Sequence, residues 1–222
     1  MRPLIILRPE PGAGRTAARA ARMGLTARLC PLFEARALDW VAPSPGRFDA
    51  LLLTSAQTVR MAGPQLDQYR ALPAYAVGGA TATAMEAAGF DAVTAGETDG
   101  SAIAARIAAD GYRTVLHPGG VDTASIEPGP LTLHAIAVYA MIETAADGLN
   151  GLTGGEAVLM VHSPRAGKRL SALIAEERRG RLHIVAISDA ALAACGEGWA
   201  SVQAAERPDD DRMLALARRL CE

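Results

Sequence analysis

The sequence predicts an α/β protein made of two similar domains, each a parallel sheet with helices on both faces. Three observations predict it. Short apolar runs alternate with helical patterns along the chain, the arrangement that builds βαβ units. Several segments also recur at a nearly constant offset. Leu52-Leu53-Thr54-Ser55 matches Met160-Val161-His162-Ser163 at 108, and Ala76-Val77-Gly78 matches Ala186-Ile187-Ser188 at 110. Leu7-Arg8-Pro9 matches Leu116-His117-Pro118 at 109, as Glu97 matches Glu206. In a chain of 222 residues such an offset implies an internal duplication. The third observation is a pair of strand-like stretches at that same spacing, 24–34 and 133–143. They are expected to join the two domains, with Tyr139 (opposite Cys30 in the repeat) facing the cleft.

The elements follow in order. Residues 3–8 form a buried strand, 9–14 a Pro- and Gly-rich loop, and 15–23 a helix stopped by Gly24. A strand at 26–33 leads to the Pro-rich passage 39–47, a candidate boundary. Strands are expected at 48–53, 74–77, 90–95 and 114–116, the last followed by a His-Pro-Gly-Gly loop. Helices fall at 56–62, 81–88 and 101–109. Beyond strand 133–143, the glycines between 148 and 155 mark a second boundary. Strands 157–161, 183–187 and 200–204 then alternate with helices 165–178, 190–195 and 211–220, with Asp210 as the N-cap of the last.

Composition narrows the function. The chain is 50% hydrophobic, 21% charged and only 4% aromatic, with a formal net charge of −2. That charge gives no basic field for nucleic acid or a membrane surface. An anionic ligand would have to be held by local arginines and backbone amides. Three dispersed cysteines fit a reducing compartment rather than a disulfide framework. No apolar run reaches the length of a membrane span, and the N-terminal run is too short for a signal peptide. The expectation is a soluble, cytoplasmic protein.

Familiar site motifs fit poorly. Gly14-Arg15-Thr16 lacks both the first glycine and the lysine of a phosphate-binding loop. Gly12-Ala13-Gly14-Arg15-Thr16-Ala17 matches GxGxxA, with Glu34 about twenty residues on, but its first glycine should come directly off the strand and Arg8-Pro9-Glu10-Pro11 intervenes. The four histidines form no metal-ligand spacing, and Ser55 and Ser163 lack a nucleophile elbow. No metal or cofactor is expected. What recurs is the strand end rich in hydroxyl or glycine: Thr54-Ser55, Gly79 to Thr81, Gly119-Gly120, Ser163 and Ser188. In open α/β sheets ligands bind at those ends, and amides at helix N-termini there cradle anions. Ordinary N-capping needs the same residue types at the same places.

The landmarks Leu7-Arg8-Pro9, Pro31-Leu32-Phe33-Glu34, Leu53-Thr54-Ser55, Val77 to Ala82, Val138-Tyr139, His162 to Ala166 and Ala186-Ile187-Ser188 recur in one family. By their order and spacing the chain resembles the uroporphyrinogen-III synthases along nearly its whole length. The resemblance implies two parallel-sheet domains of flavodoxin or Rossmann-like type, joined by a two-stranded antiparallel β-ladder. Residues 1–29 plus 147–222 would form one domain and 41–132 the other, with 30–40 and 133–146 as the ladder.

It also implies the reaction: hydroxymethylbilane, a small octacarboxylate, loses water and closes with its last pyrrole ring inverted, without cofactor, on a monomer. Tyr139 aligns with the family's best supported functional residue, and a phenol can donate to a departing hydroxyl. Thr81 aligns with a cleft threonine, while Thr54, Ser55, Gly79, Gly119, Ser163 and Ser188 lie on the rims. Arg8, Arg165 and Lys168 are expected carboxylate partners. A second family threonine falls on Ala190, so Ser188 or backbone amides would replace it. The alternative is a two-domain anion-binding or sensor module without catalysis.

Overall fold

The computed structural model describes residues 2–96 and 99–222. Glu97, which the repeat pairs with Glu206, lies outside the described residues. The chain opens with β1 (Leu4–Ile6), α1 (Gly12–Arg22) and β2 (Ala27–Leu29), then β3 (Phe33–Ala37) and β4 (Ala50–Leu53). Next come α2 (Ala56–Met61), β5 (Ala74–Val77), α3 (Gly79–Ala87), β6 (Val93–Gly96) and α4 (Gly100–Ala109). The long strands β7 (Thr114–Gly120) and β8 (Thr132–Glu143) follow. The remainder is α5 (Leu149–Leu152), β9 (Ala157–Val161), α6 (Pro164–Leu173), α7 (Glu176–Arg179), β10 (Leu182–Ala186), α8 (Asp189–Ala193), β11 (Ser201–Ala204) and α9 (Asp210–Cys221).

The chain divides into two compact units, Met1–Glu34 with Glu143–Glu222 (unit 1) and Ala35–Ile142 (unit 2). Unit 1 carries a sheet of order β11-β10-β9-β1-β2, parallel throughout. The second sheet runs β3-β8-β7-β4-β5-β6, parallel from β8 to β6. The repeat offset carries β6, β5, β4, β7 and β8 onto β11, β10, β9, β1 and β2, in the same spatial order.

The apolar runs become central strands because a parallel strand covered on both faces buries every side chain. Leu4–Ile6, Ala50–Leu53 and Ala157–Val161 have no exposed surface. In β4 alternate residues serve opposite faces. Leu51 and Leu53 pack with Met85 of α3, while Ala50 and Leu52 pack with Ile103 and Ile107 of α4. In unit 1, β1, β9 and β10 bury one face against Ala13 and Ala20 of α1 and Met213, Leu214 and Ala217 of α9. Each fully buried Leu or Met contributes about 1.5–3 kcal/mol. On the other face, α6 and α8 meet so closely that a Cβ on Gly167 would lie 2.7 Å from the Ala191 carbonyl oxygen.

Four expected elements differ. The strand expected at 26–33 is two strands, β2 and β3, with Pro31 between them; the Cys30 and Leu32 N–H groups still donate to the Ile6 and Leu7 carbonyls. The helix expected at 165–178 breaks at Ile174, whose backbone is extended. The buried Arg179 guanidinium donates to the Ile174 and Ser171 carbonyls that the break frees. His117-Pro118-Gly119-Gly120 is strand rather than loop: β7 continues to Gly120 paired with β8, while β4 stops pairing at Leu116. A proline is tolerated on such an unpaired flank. Finally, the N-cap of α9 is Asp209, which accepts from the Asp211 and Arg212 N–H groups, and Asp210 is the first helical residue.

Candidate active site

The strand ends of unit 2 surround a cavity of about 480 Å³. Thr54 and Ser55 enter its wall because β4 ends there and α2 begins. Ser55 is the N-cap of α2, its Oγ accepting from the Gln57 N–H at 3.1 Å. Asp99 caps α4 in the same way, Oδ1 accepting from the Ser101 and Ala102 N–H groups at 2.9 Å each. Another part of the wall is the 122–126 segment, pinned where Ser101 Oγ accepts from the Glu127 N–H at 2.9 Å. Ile126 lies over Gly100, where a Cβ would approach its Cγ1 to 2.7 Å.

Tyr139 of β8 completes the wall. The residue is 8% exposed and belongs to a hydrophobic cluster with Leu53, Met85 and Leu116. Among the described residues nothing hydrogen-bonds the phenol oxygen. On β7, His117 is buried, and its Nδ1 lies 2.9 Å from the Leu52 carbonyl oxygen. That acceptor places the imidazole proton on Nδ1. Burial lowers the His117 pKa below 6.5, partly offset by this bond, so the neutral ring is favoured. Gly119 lines a smaller cavity of about 170 Å³ with His117 and Thr123.

The other expected residues lie elsewhere. Gly79 is the exposed first residue of α3, whose N-terminus has no side-chain cap, and Thr81 is a buried residue of the first turn. Neither lines the cavity. In unit 1, Ser163 and Ser188 are N-caps, accepting from the Ala166 N–H at 3.1 Å and the Ala191 N–H at 3.3 Å. Arg165 is exposed and stacks on Phe33, its Cζ 4.6 Å from the ring centroid; Lys168 is exposed. Gly12 and Gly14 are helical, and the Gly14 N–H donates to Glu10 Oε2 at 2.9 Å. A carboxylate thus occupies the amide that a pyrophosphate would need.

Arg8 is engaged rather than open. Its Nη1 donates to both oxygens of Asp210, at 2.8 and 3.0 Å. Thr16 Oγ1 donates to the same carboxylate at 2.7 Å, and His162 Nε2 lies 3.2 Å away. Nδ1 of His162 is buried and has no partner among the described residues. Burial alone would raise the Asp210 pKa; the bonds from His162 and Thr16 and the Arg8 charge outweigh it and hold the carboxyl well below the usual range. Reasoning from the sequence missed this network, whose members are up to 202 residues apart. It also missed Asp99, Ser101 and the 122–126 segment. The Asp-Gly-Ser opening of α4 was a legible capping signal, whereas nothing in residues 122–126 marks them as a cavity wall.

The sequence matches the profile of Uroporphyrinogen-III synthase HemD over residues 14–215. The chain belongs to the uroporphyrinogen-III synthase family. No curated protein matches it by sequence. Among solved structures it is similar to the uroporphyrinogen-III synthetase of Helicobacter pylori, with 18% identity and a TM-score of 0.70. That match covers 99% of this chain and 100% of the other. A mutant uroporphyrinogen III synthase of Thermus thermophilus is similar at 15% identity and a TM-score of 0.50, over 99% of each chain. At such identities the likeness is one of fold: mixed α/β, with parallel sheets and helices.

Proposed function

We propose that the protein closes linear hydroxymethylbilane to uroporphyrinogen III, with loss of water and inversion of the last pyrrole ring, and that Tyr139 assists the departure of the hydroxyl. In a chain of this family, one observation carries the reading. The phenol of Tyr139 has no partner among the described residues and stands in the wall of a cavity that also presents Thr54 and Ser55. The terminal C–O bond breaks as the phenol proton passes to the leaving oxygen, which departs as water. The pyrrole nitrogen lone pair stabilises the cation left behind. The α-carbon of the other terminal ring that already bears its bridge attacks this cation to give a spiro centre; the old bridge bond then breaks and re-forms at that ring's free α-carbon, which inverts the ring. The proton shed from pyrrole carbon at closure restores the phenol, so the net change is one water lost.

Most of the rate enhancement is then positioning, because both reacting ends belong to one flexible molecule. The carboxylates of Asp99 and Asp122 in the cavity wall favour a developing cation over a substrate carboxylate. Substrate carboxylates are assigned to the open amides at Gly79, to Thr81, Gly119, Ser163 and Ser188, and to Arg165 and Lys168. Arg8 belongs instead to the Asp210 network.

The proposal includes a duplicated architecture, supported by the shared strand order of the two sheets. Its domains are 1–29 plus 147–222 and 41–132, with 30–40 and 133–146 as an antiparallel ladder. The Leu38 N–H bond to the Val138 carbonyl and the Thr144 N–H bond to the Leu32 carbonyl support that direction. One number falls as the other rises. A cytoplasmic monomer acting on a small molecule, without nucleic acid or membrane, completes the proposal; its three cysteines are free and buried, as a reducing compartment allows.

The test is to incubate the pure protein with freshly made hydroxymethylbilane and separate the product isomers. Type III product is expected. Only the spontaneous type I isomer would end the claim, and a ligand bound and returned unchanged would point to a binding module.

A further inference from the structure

We infer that Gly120 is a positioning residue for Tyr139: its missing side chain leaves room for the phenol ring to lie on β7 at the cavity wall. A Cβ built on Gly120 would fall 2.9 Å from Cζ, 3.0 Å from Cε2 and 3.1 Å from the oxygen of Tyr139. These are its three nearest neighbours, and all belong to the tip of one ring. The backbone gives no other reason for glycine here. Gly120 is not among the glycines with positive φ, so an alanine could adopt its conformation.

The strand pairing supports the same assignment. From Thr114 to Gly119, β7 pairs with β8 residue for residue, ending at Gly119 with Ala137. Gly120 then pairs with Tyr139, and Val138 is skipped. The ladder resumes as the Val121 N–H donates to the Tyr139 carbonyl at 2.9 Å. In a regular strand Val138 and Tyr139 would point to opposite faces. Here both are buried in one hydrophobic cluster. A bulge re-aims side chains in this manner, and this one sets the phenol against the only residue type whose side chain leaves it space. Bulge and glycine together fix where the hydroxyl stands.

The kinetic part of this inference rests on the reaction proposed above; the placement of the ring does not. The first measurement is therefore structural. With ¹³C-labelled tyrosine, the four ring signals include one that Tyr139→Phe removes. Gly120→Ala should shift that signal and leave the other three in place. An unmoved Tyr139 signal in the folded variant overturns the inference.

A stability cycle covers the case in which Gly120→Ala folds poorly. Gly120→Ala should destabilise the native chain yet cost nothing further in a Tyr139→Ala background, because the atoms it meets are gone. An equal cost in both backgrounds overturns the inference. In the cyclisation assay, Gly120→Ala should lower kcat several-fold with KM unchanged, and add nothing to Tyr139→Phe. Multiplying effects would mean that Gly120 acts by another route. Should the wild-type chain form no type III product, the reaction reading fails, and the labelled signal and the stability cycle still decide the placement.

Discussion

The two units place the same parts at their strand ends and do different things with them. At an offset of 108 or 109 residues, Arg8, His162 and Asp210 of unit 1 fall on His117, Thr54 and Ser101 of unit 2. In unit 1 the Asp210 carboxylate draws together Arg8, Thr16 and His162. In unit 2 the matching residue is a neutral serine, and a cavity of about 480 Å³ lies there. Parallel strands and helix N-termini supply donors in both halves. An aspartate caps the helix in both, Asp99 in unit 2 and Asp209 in unit 1; what differs is that Asp210 gathers side-chain donors and Ser101 does not. The residue at the same offset also differs: Tyr139 lines the cavity of unit 2, while Cys30 lines a cavity of about 510 Å³ in unit 1.

The largest effect expected from breaking this contrast is on stability. Asp210→Ala removes the acceptor shared by Arg8, Thr16 and His162, of which Thr16 keeps the Gly12 carbonyl, and should cost about 3 kcal/mol, the lower end for a broken buried pair since Arg8 keeps some exposure. Denaturant unfolding measures it; a loss under about 1 kcal/mol would mean the network holds little. Next, Tyr139→Phe should lower kcat several-fold at nearly unchanged stability, whereas Cys30→Ala should leave kcat alone. Equal effects on turnover would erase the contrast.

The acid limb of stability sharpens it further. The folded pKa of His117 lies below 6.5, so its contribution is complete above that pH and lost as pH falls beneath it. The folded pKa of Asp210 lies below 3.8, so its contribution survives to lower pH and is lost only beneath that value. His117→Gln should reduce the first limb, which His183 shares, and Asp210→Asn the second, which Asp49, Asp110 and Glu156 share, as seen in unfolding free energies measured across pH. The smallest effects should be the shared ones. Ser55→Ala and Ser163→Ala each remove one N-cap bond and should cost about 1 kcal/mol alike.

The sequence made the sheets legible because a doubly covered strand must be apolar throughout, and Leu4–Ile6, Ala50–Leu53 and Ala157–Val161 are. It made the strand-end hydroxyls legible because capping restricts residue type. It could not divide caps from ligands: Ser55, Ser163 and Ser188 all spend their oxygens on helix N–H groups. The break at Ile174 was hidden because its stabilising group, Arg179, works through side-chain bonds to carbonyls and leaves no local signature. The Arg8–Asp210 pair was hidden by distance along the chain. The end of the strand at Pro31 was readable, since proline in a ladder predicts an interruption. The bulge at Gly119/Gly120 was not, because a Gly-Gly pair suggests a turn as readily.

The central claim is that chemistry runs at the Tyr139 cavity. It is tested most directly by timing product formation from fresh hydroxymethylbilane with wild-type protein and Tyr139→Phe side by side, and separating the isomers. The account predicts type III product from the wild type, and a slower variant in which spontaneous closure competes and the type I share rises. Wild-type speed and isomer purity from Tyr139→Phe would contradict it.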